Sequence, residues 1–366
     1  MKLKHLIAHH AQELTQKYGR SLLPSQRKAL DAILACRSFC GEFYSHCEGC
    51  SYPTIRPLSC GHRSCPQCQQ HLAEAWQIRQ QDKLLPTNYF MVTLTIPFEL
   101  RQTTYQHQSI MYNILFRAAV EALQTIAENN FQIKIGLTAV LHTHKRDKGY
   151  HPHLHIVFPG GGLTTHKNKR MSWKVLPEKF FINEFSLAKV FKGILLRLMF
   201  EQAIPLPTGI PKQWVANIRN VGRGEKALKY LSRYLYRGVI SENDILCDQQ
   251  GDVTFRYQES RSKKLVTKKE PAVDFIVHLL KHVLPRGFRR VRDYGFLHGN
   301  AKNTLKKIQL MLRVKLPTKI VIIKHPQCTL CSSDMIIDLV LPKRIPMIFR
   351  FYSFATNKKI ETFMPT

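Results

Sequence analysis

The chain has 366 residues, with 55 Lys and Arg against 25 Asp and Glu, a formal net charge of +30. A chain this long forms two or three domains with at least one sizeable core, and its 44% apolar content is ordinary for a folded chain. The charge is not ordinary. It attracts polyanions, nucleic acid first among them, and repels itself without one. No segment is apolar enough for a bilayer span, and "MKLKHLIAHHAQELTQKYG" lacks a signal-peptide core. The expectation is a cytoplasmic protein with no membrane partner and reduced thiols.

Apolar residues at helical spacing predict helices over residues 1–35. Residues 36–70 are cysteine-rich and show little periodicity, and helix returns over 71–84. "NYFMVTLTIPFEL" alternates like a strand, and "YQHQSIMYNILFRAAVEALQTIAE" is a long amphipathic helix. "FQIKIGLTAVLHTHKRD" and "GYHPHLHIVF" read as two strands around a Lys148-Gly149 turn. Residues 160–180 read as a glycine-rich basic loop, with helices following at about 184–203 and 224–237. Residues 252–270 suggest a polar hairpin, 271–313 mostly helix, and 318–352 an alternation of basic and β-branched residues. These patterns predict boundaries at 1–85, 86–245 and 246–366, the last a basic region of uncertain fold.

Seven of the ten cysteines lie between Cys36 and Cys68. "CEGC" (Cys47, Cys50) and "CPQC" (Cys65, Cys68) are two CxxC knuckles separated by residues 51–64. Each knuckle aims two thiolates at one point, and two knuckles complete a tetrahedral zinc site. These four are the expected structural Zn²⁺ ligands, with Cys60 and His62 as further candidates. Cys36, Cys40, Cys60, His62 and His71 could form a second site or replace one of the four. Cys328 and Cys331 form a lone knuckle whose partners spacing does not name; His325 is one candidate.

His151, His153 and His155 occupy alternate positions, so their rings leave one face of a strand, while Leu154, Ile156 and Phe158 face the opposite layer. His142 and His144 alternate on the paired strand. Two imidazoles two residues apart can ligate one divalent metal, and His142 or His144 could reach across the hairpin to it. "HPHLHIV" also fits the HxHxHxx pattern of histidine-triad nucleotide hydrolases, which have no use for a zinc module or this charge.

"GEKALKYLSRYLYRGV" carries Tyr230 and Tyr234 one helical turn apart, among Lys226, Lys229, Arg233 and Arg237. Tyrosine is a competent covalent nucleophile at a phosphodiester when cations or a metal polarise the phosphate. Paired tyrosines on a helix are also ordinary core residues.

Cysteine module, His-Leu-His strand and two-tyrosine helix occur in one order. "SCGHRSCPQCQ", "HPHLHIVFPGGGL", "KYLSRYLYRGVIS" and "LLKHVLPRGFRRVRDYGFL" together resemble rolling-circle transposases of the HUH class, in particular the two-tyrosine insertion-sequence family numbered ninety-one. The resemblance runs from about residue 30 to about 340. It implies an α+β fold: a zinc module, then an HUH-type central antiparallel sheet with helices packed on it. It implies an endonuclease and strand transferase that nicks single-stranded DNA, at element ends and target, through a 5′-phosphotyrosine. Tyr230 and Tyr234 would be nucleophiles, and His153 and His155 ligands of a catalytic Mg²⁺ or Mn²⁺. No motif carries the third ligand; His142 is the substitute. No GxxxxGK[ST] loop is present, so no nucleotide cofactor is expected. A plasmid replication initiator or relaxase would share this chemistry, and a non-catalytic zinc-bearing nucleic-acid-binding protein would share the charge.

Overall fold

The computed structural model describes residues 1–68, 70–165, 171–177, 183–224, 226, 228, 239–259, 262–314 and 326–344. Two compact units divide it: Arg63–Lys324 together with Met1, and a smaller unit made from Lys2–His62 and His325–Thr366.

The smaller unit opens with helices α1 (Leu3–His9), α2 (Ala11–Tyr18) and α3 (Pro24–Ala35). Pro24 starts α3, where a missing N–H costs nothing, and the Gln26 side chain accepts from the Leu23 N–H at 2.9 Å. Leu3, Leu6, Ile7, Leu14, Ala29 and Leu30 are buried, and α1 packs on α3. Strands β1 (Gly41–Cys47) and β2 (Pro53–Pro57) follow, inside the stretch that shows no periodicity.

The larger unit begins with α4 (Gln70–Gln81), β3 (Asn88–Thr95), α5 (Leu100–Gln106) and the long α6 (Gln108–Phe131). The histidine hairpin is β4 (Leu137–His144) and β5 (Tyr150–Pro159). Its turn differs in detail from expectation: Lys148, not Gly149, takes the left-handed conformation (φ 67°). The Asp147 carboxylate accepts from the Gly149 N–H, and the Lys148 carbonyl accepts from His282 Nε2 at 2.8 Å, which together hold the strained residue.

The glycine-rich stretch is not simply a loop. It contains a two-stranded hairpin, β6 (Gly161–Thr165) with β7 (Met171–Val175). At Gly161 a side chain would collide with the Trp173 ring, so the glycine admits this packing. Then come α7 (Glu184–Glu201), whose N-cap Asn183 accepts from the N–H groups of Phe185 and Ser186, and β8 (Ala216–Arg223). The predicted polar hairpin is β10 (Asp252–Gln258) with β11 (Leu265–Pro271), extended by β9 (Ile245–Gln249). The mostly helical region holds α8 (Ala272–Leu280) and α9 (Lys302–Met311), but also strand β12 (Val291–Tyr294). The chain re-enters the smaller unit for β13 (Met335–Pro342), which pairs antiparallel with β1 in a sheet ordered β13-β1-β2.

The central sheet of the larger unit runs β12-β4-β5-β3-β8, with every neighbouring pair antiparallel. One face carries Phe90, Val92, Leu94, Leu154, Ile156 and Phe158 into a core shared with Tyr112, Phe116 and Leu123 of α6 and Phe191 and Leu195 of α7. This is the α+β architecture the sequence predicts, a mixed fold of antiparallel sheets and packed helices. No helix among the described residues is long and apolar enough to cross a membrane.

Candidate functional site

The other face of that sheet carries the histidines. Antiparallel register sets His142 directly opposite His153, and Val140 opposite His155. Ligand nitrogens of His142, His153 and His155 lie within 4.8 Å of one another. His142, the residue no motif supplies, therefore stands with the pair that the His-Leu-His triplet supplies. His144 does not join them. A register shift between His142 and His144 carries it past the group, and its ring lies 5.5 Å from that of His282.

The surroundings set the tautomers. His153 Nδ1–H donates to the His151 carbonyl at 2.7 Å, which puts the ring's lone pair on Nε2. His155 Nδ1 lies 3.0 Å from the Thr93 hydroxyl, cross-strand on β3. Burial, with His155, His153, His144 and Arg290 nearby, holds His142 well below the usual imidazole range. Burial, His153 and Arg219 push His155 down to about 3, and burial with Arg101 lowers His153. His151, pushed to about 3 by burial and His153, lies outside the group of three. At neutral pH the three rings are thus neutral donors, the form a metal needs. Three neutral imidazoles make a nitrogen donor set of the kind that holds a divalent metal.

Cations flank the group. Arg219, exposed on β8, pairs in register with Met91 and so shares the histidine face; its Nε donates to Asn217 Oδ1 at 2.8 Å. Sequence patterning missed β8 because an edge strand with Asn217, Arg219 and Gly222 has no apolar alternation. The Thr93 partner was readable, since alternation in "NYFMVTLT" sets Thr93 on the face of Tyr89 and Met91.

Tyr230 and Tyr234 fall outside the described residues. Leu228, two positions earlier, is described. It is buried with Trp76, Tyr89, Met91, Val140 and Val157, on the histidine face of the sheet.

In the smaller unit the companions of Cys47 and Cys50 are Cys328 and Cys331 rather than Cys65 and Cys68. The β1–β13 pairing causes this difference from the expected grouping. It carries the C-terminal knuckle to the end of β1, with Cys47 opposite Met335. Cys36 and Cys60 also lie within 4.8 Å of each other in this unit, as do Cys65 and Cys68 in the larger one. Cys40 donates its thiol to the Ala35 carbonyl behind α3, and among the described residues His62 falls in neither cysteine group. His325 is outside the described residues.

Comparison with known proteins decides the family. A model described as "Transposase zinc-binding domain", of IS91 type, matches residues 6–96, and one described as "Putative transposase" matches 136–304. The protein named "Putative transposase y4qJ", from Sinorhizobium fredii, is 33% identical over 335 residues, covering 81% of this chain and 82% of its own. This chain belongs to the IS91 family of transposases. "Transposase for insertion sequence element IS801", from Pseudomonas savastanoi pv. phaseolicola, is 24% identical over 284 residues, covering 72% of this chain and 68% of its own. No solved structure gives a significant match. The transposase model spans the histidine hairpin and the tyrosine segment, and the zinc-binding model spans the N-terminal cysteines.

Proposed function

We propose that this IS91-family transposase is an HUH endonuclease that nicks single-stranded DNA and holds the broken strand as a 5′-phosphotyrosine, mobilising an insertion sequence by a rolling-circle route. The observation that carries the reading is the convergence of His142, His153 and His155 on the sheet face against which Leu228 packs, two residues before Tyr230.

His142, His153 and His155 would hold the ion through neutral imidazole nitrogens, with Thr93 and the His151 carbonyl orienting the rings. A bound Mn²⁺ or Mg²⁺ supplies Lewis-acid polarisation of the scissile phosphate. Tyr230 or Tyr234 attacks phosphorus through its phenol oxygen. The P–O3′ bond breaks, the phenol proton passes to the departing 3′-oxygen, and the product is a 3′-hydroxyl plus a tyrosine–phosphate ester. Bond energy is conserved, so rejoining needs no nucleotide cofactor. Arg219 and Arg101 hold the phosphate backbone beside the imidazoles, and the general excess of Lys and Arg supplies the remaining affinity.

The test separates chemistry from affinity. His153→Ala should lower nicking of a single-stranded oligonucleotide by at least about 10³-fold, in the range of a lost catalytic electrostatic group, while DNA binding at fixed salt stays within a few-fold. Nicking at wild-type rate by His153→Ala would remove the histidine group from the mechanism.

A further inference from the structure

We infer that Cys47, Cys50, Cys328 and Cys331 hold one structural zinc ion, so that the C-terminal segment completes a metal site begun by the N-terminal one. The zinc-binding domain recognised in the sequence ends at residue 96 and contains neither Cys328 nor Cys331.

The geometry is that of a four-thiolate cage. Cys47 and Cys331 sulfurs lie 3.3 Å apart, Cys50 and Cys328 sulfurs 3.8 Å, and all four fall within 4.8 Å of one another. Tetrahedral zinc with bonds of about 2.3 Å requires sulfur–sulfur edges of about 3.8 Å. None of the four is in a disulfide.

The two knuckles are built alike. "CEGCS" and "CTLCS" each close with the serine N–H donating to the first cysteine's carbonyl, Ser51 to Cys47 at 2.9 Å and Ser332 to Cys328 at 3.0 Å. Each serine takes the left-handed conformation, φ 58° at Ser51 and 62° at Ser332. Two non-glycine residues in that conformation at matching places indicate turns shaped for a purpose. The Leu330 N–H donates to the Cys328 sulfur, as befits a thiolate. The knuckles also touch: the Glu48 N–H donates to the Asp334 carbonyl, and a side chain at Gly49 would collide with Ser333.

Apolar burial does not explain why this region holds together. The local cluster consists of Cys47, Cys328 and Met335 alone, and every other residue of β13 is exposed. Cys50 and Cys328 are 278 positions apart. What joins the two distant segments is the β1–β13 backbone ladder with little apolar burial beside it, and a zinc ion shared by the two knuckles would supply the missing stabilisation.

The test uses the full-length protein purified with zinc. Cys328→Ser/Cys331→Ser should carry one zinc fewer per chain than wild type by elemental analysis, and native iodoacetamide labelling should reach Cys47 and Cys50. Unchanged zinc content with Cys47 and Cys50 still protected would overturn the assignment. Should that variant aggregate, the wild-type chain suffices. Under graded chelation Cys47, Cys50, Cys328 and Cys331 should become labelled together. Labelling of Cys328 and Cys331 before any chelator is added, or release of Cys47 and Cys50 without them, would equally contradict the site. Neither readout depends on nicking activity.

Discussion

The histidine group and the four-cysteine group are both convergences of metal-binding side chains, yet they stand in opposite relations to their folds. In the central sheet the ligands hang from strands already fixed by a large apolar layer. Leu154 and Ile156, which alternate with His153 and His155 along β5, are fully buried. In the smaller unit the strand that brings Cys328 and Cys331 to Cys47 buries only Met335. The first region builds its site from its core; around β13, on the zinc assignment proposed above, the ion would take the place that apolar burial leaves empty.

The largest effect should come from removing zinc. Chelation should abolish amide-exchange protection in β1, β2 and β13 while β3, β4 and β5 stay protected, because structural zinc in small metallo-domains supplies on the order of 10 kcal/mol. Protection that survives chelation in β13 would erase the contrast. Next, Leu154→Ala should lower unfolding free energy by about 2–5 kcal/mol in denaturant titration, the usual cost of a cavity at a fully buried leucine. His153→Ala, its neighbour on the opposite face, should cost far less.

Acid should weaken the larger unit through its buried imidazoles. His282 donates to the Lys148 carbonyl, and burial with Arg290, His278 and Lys148 pushes it to about 4. Its unfolded value is about 6.5, so above that pH neither state is protonated and nothing changes. Between about 6.5 and 4 the unfolded chain gains a proton that the folded chain refuses, and stability falls by on the order of 3 kcal/mol. In His282→Gln the acid-induced loss should shrink by about that amount. The smallest effect sharpens the metal side: Thr93→Val removes the hydroxyl beside His155 Nδ1 and should weaken Mn²⁺ binding about 10-fold, measured by calorimetry.

What the sequence reveals follows the same contrast. The alternating histidines and the apolar periodicity of α6 and α7 are legible because they record burial on one face. The edge strands β8 and β12 are not, since "NIRNVGR" and "VRDY" bury little and are held by backbone pairing. The hairpin of β6 and β7 is hidden for the same reason, beneath glycines. The partnership of Cys47 and Cys50 with Cys328 and Cys331 is invisible locally. Spacing points to the nearby Cys65 and Cys68, and only the β1–β13 register reveals the distant knuckle. The hairpin read in sequence brings both His142 and His144 within reach of the His-Leu-His strand; the register shift between them, which selects His142, is not legible there.

The most direct test of the catalytic reading is trapping of a covalent protein–DNA adduct. Full-length protein, Mn²⁺ and a single-stranded oligonucleotide from an element end should yield a denaturation-resistant adduct, with mass spectrometry locating the phosphate on Tyr230 or Tyr234. The Tyr230→Phe/Tyr234→Phe double variant keeps both rings and should form none. A stable adduct in that double variant, or cleavage by wild type that leaves a free 5′-phosphate and no adduct, would contradict the account.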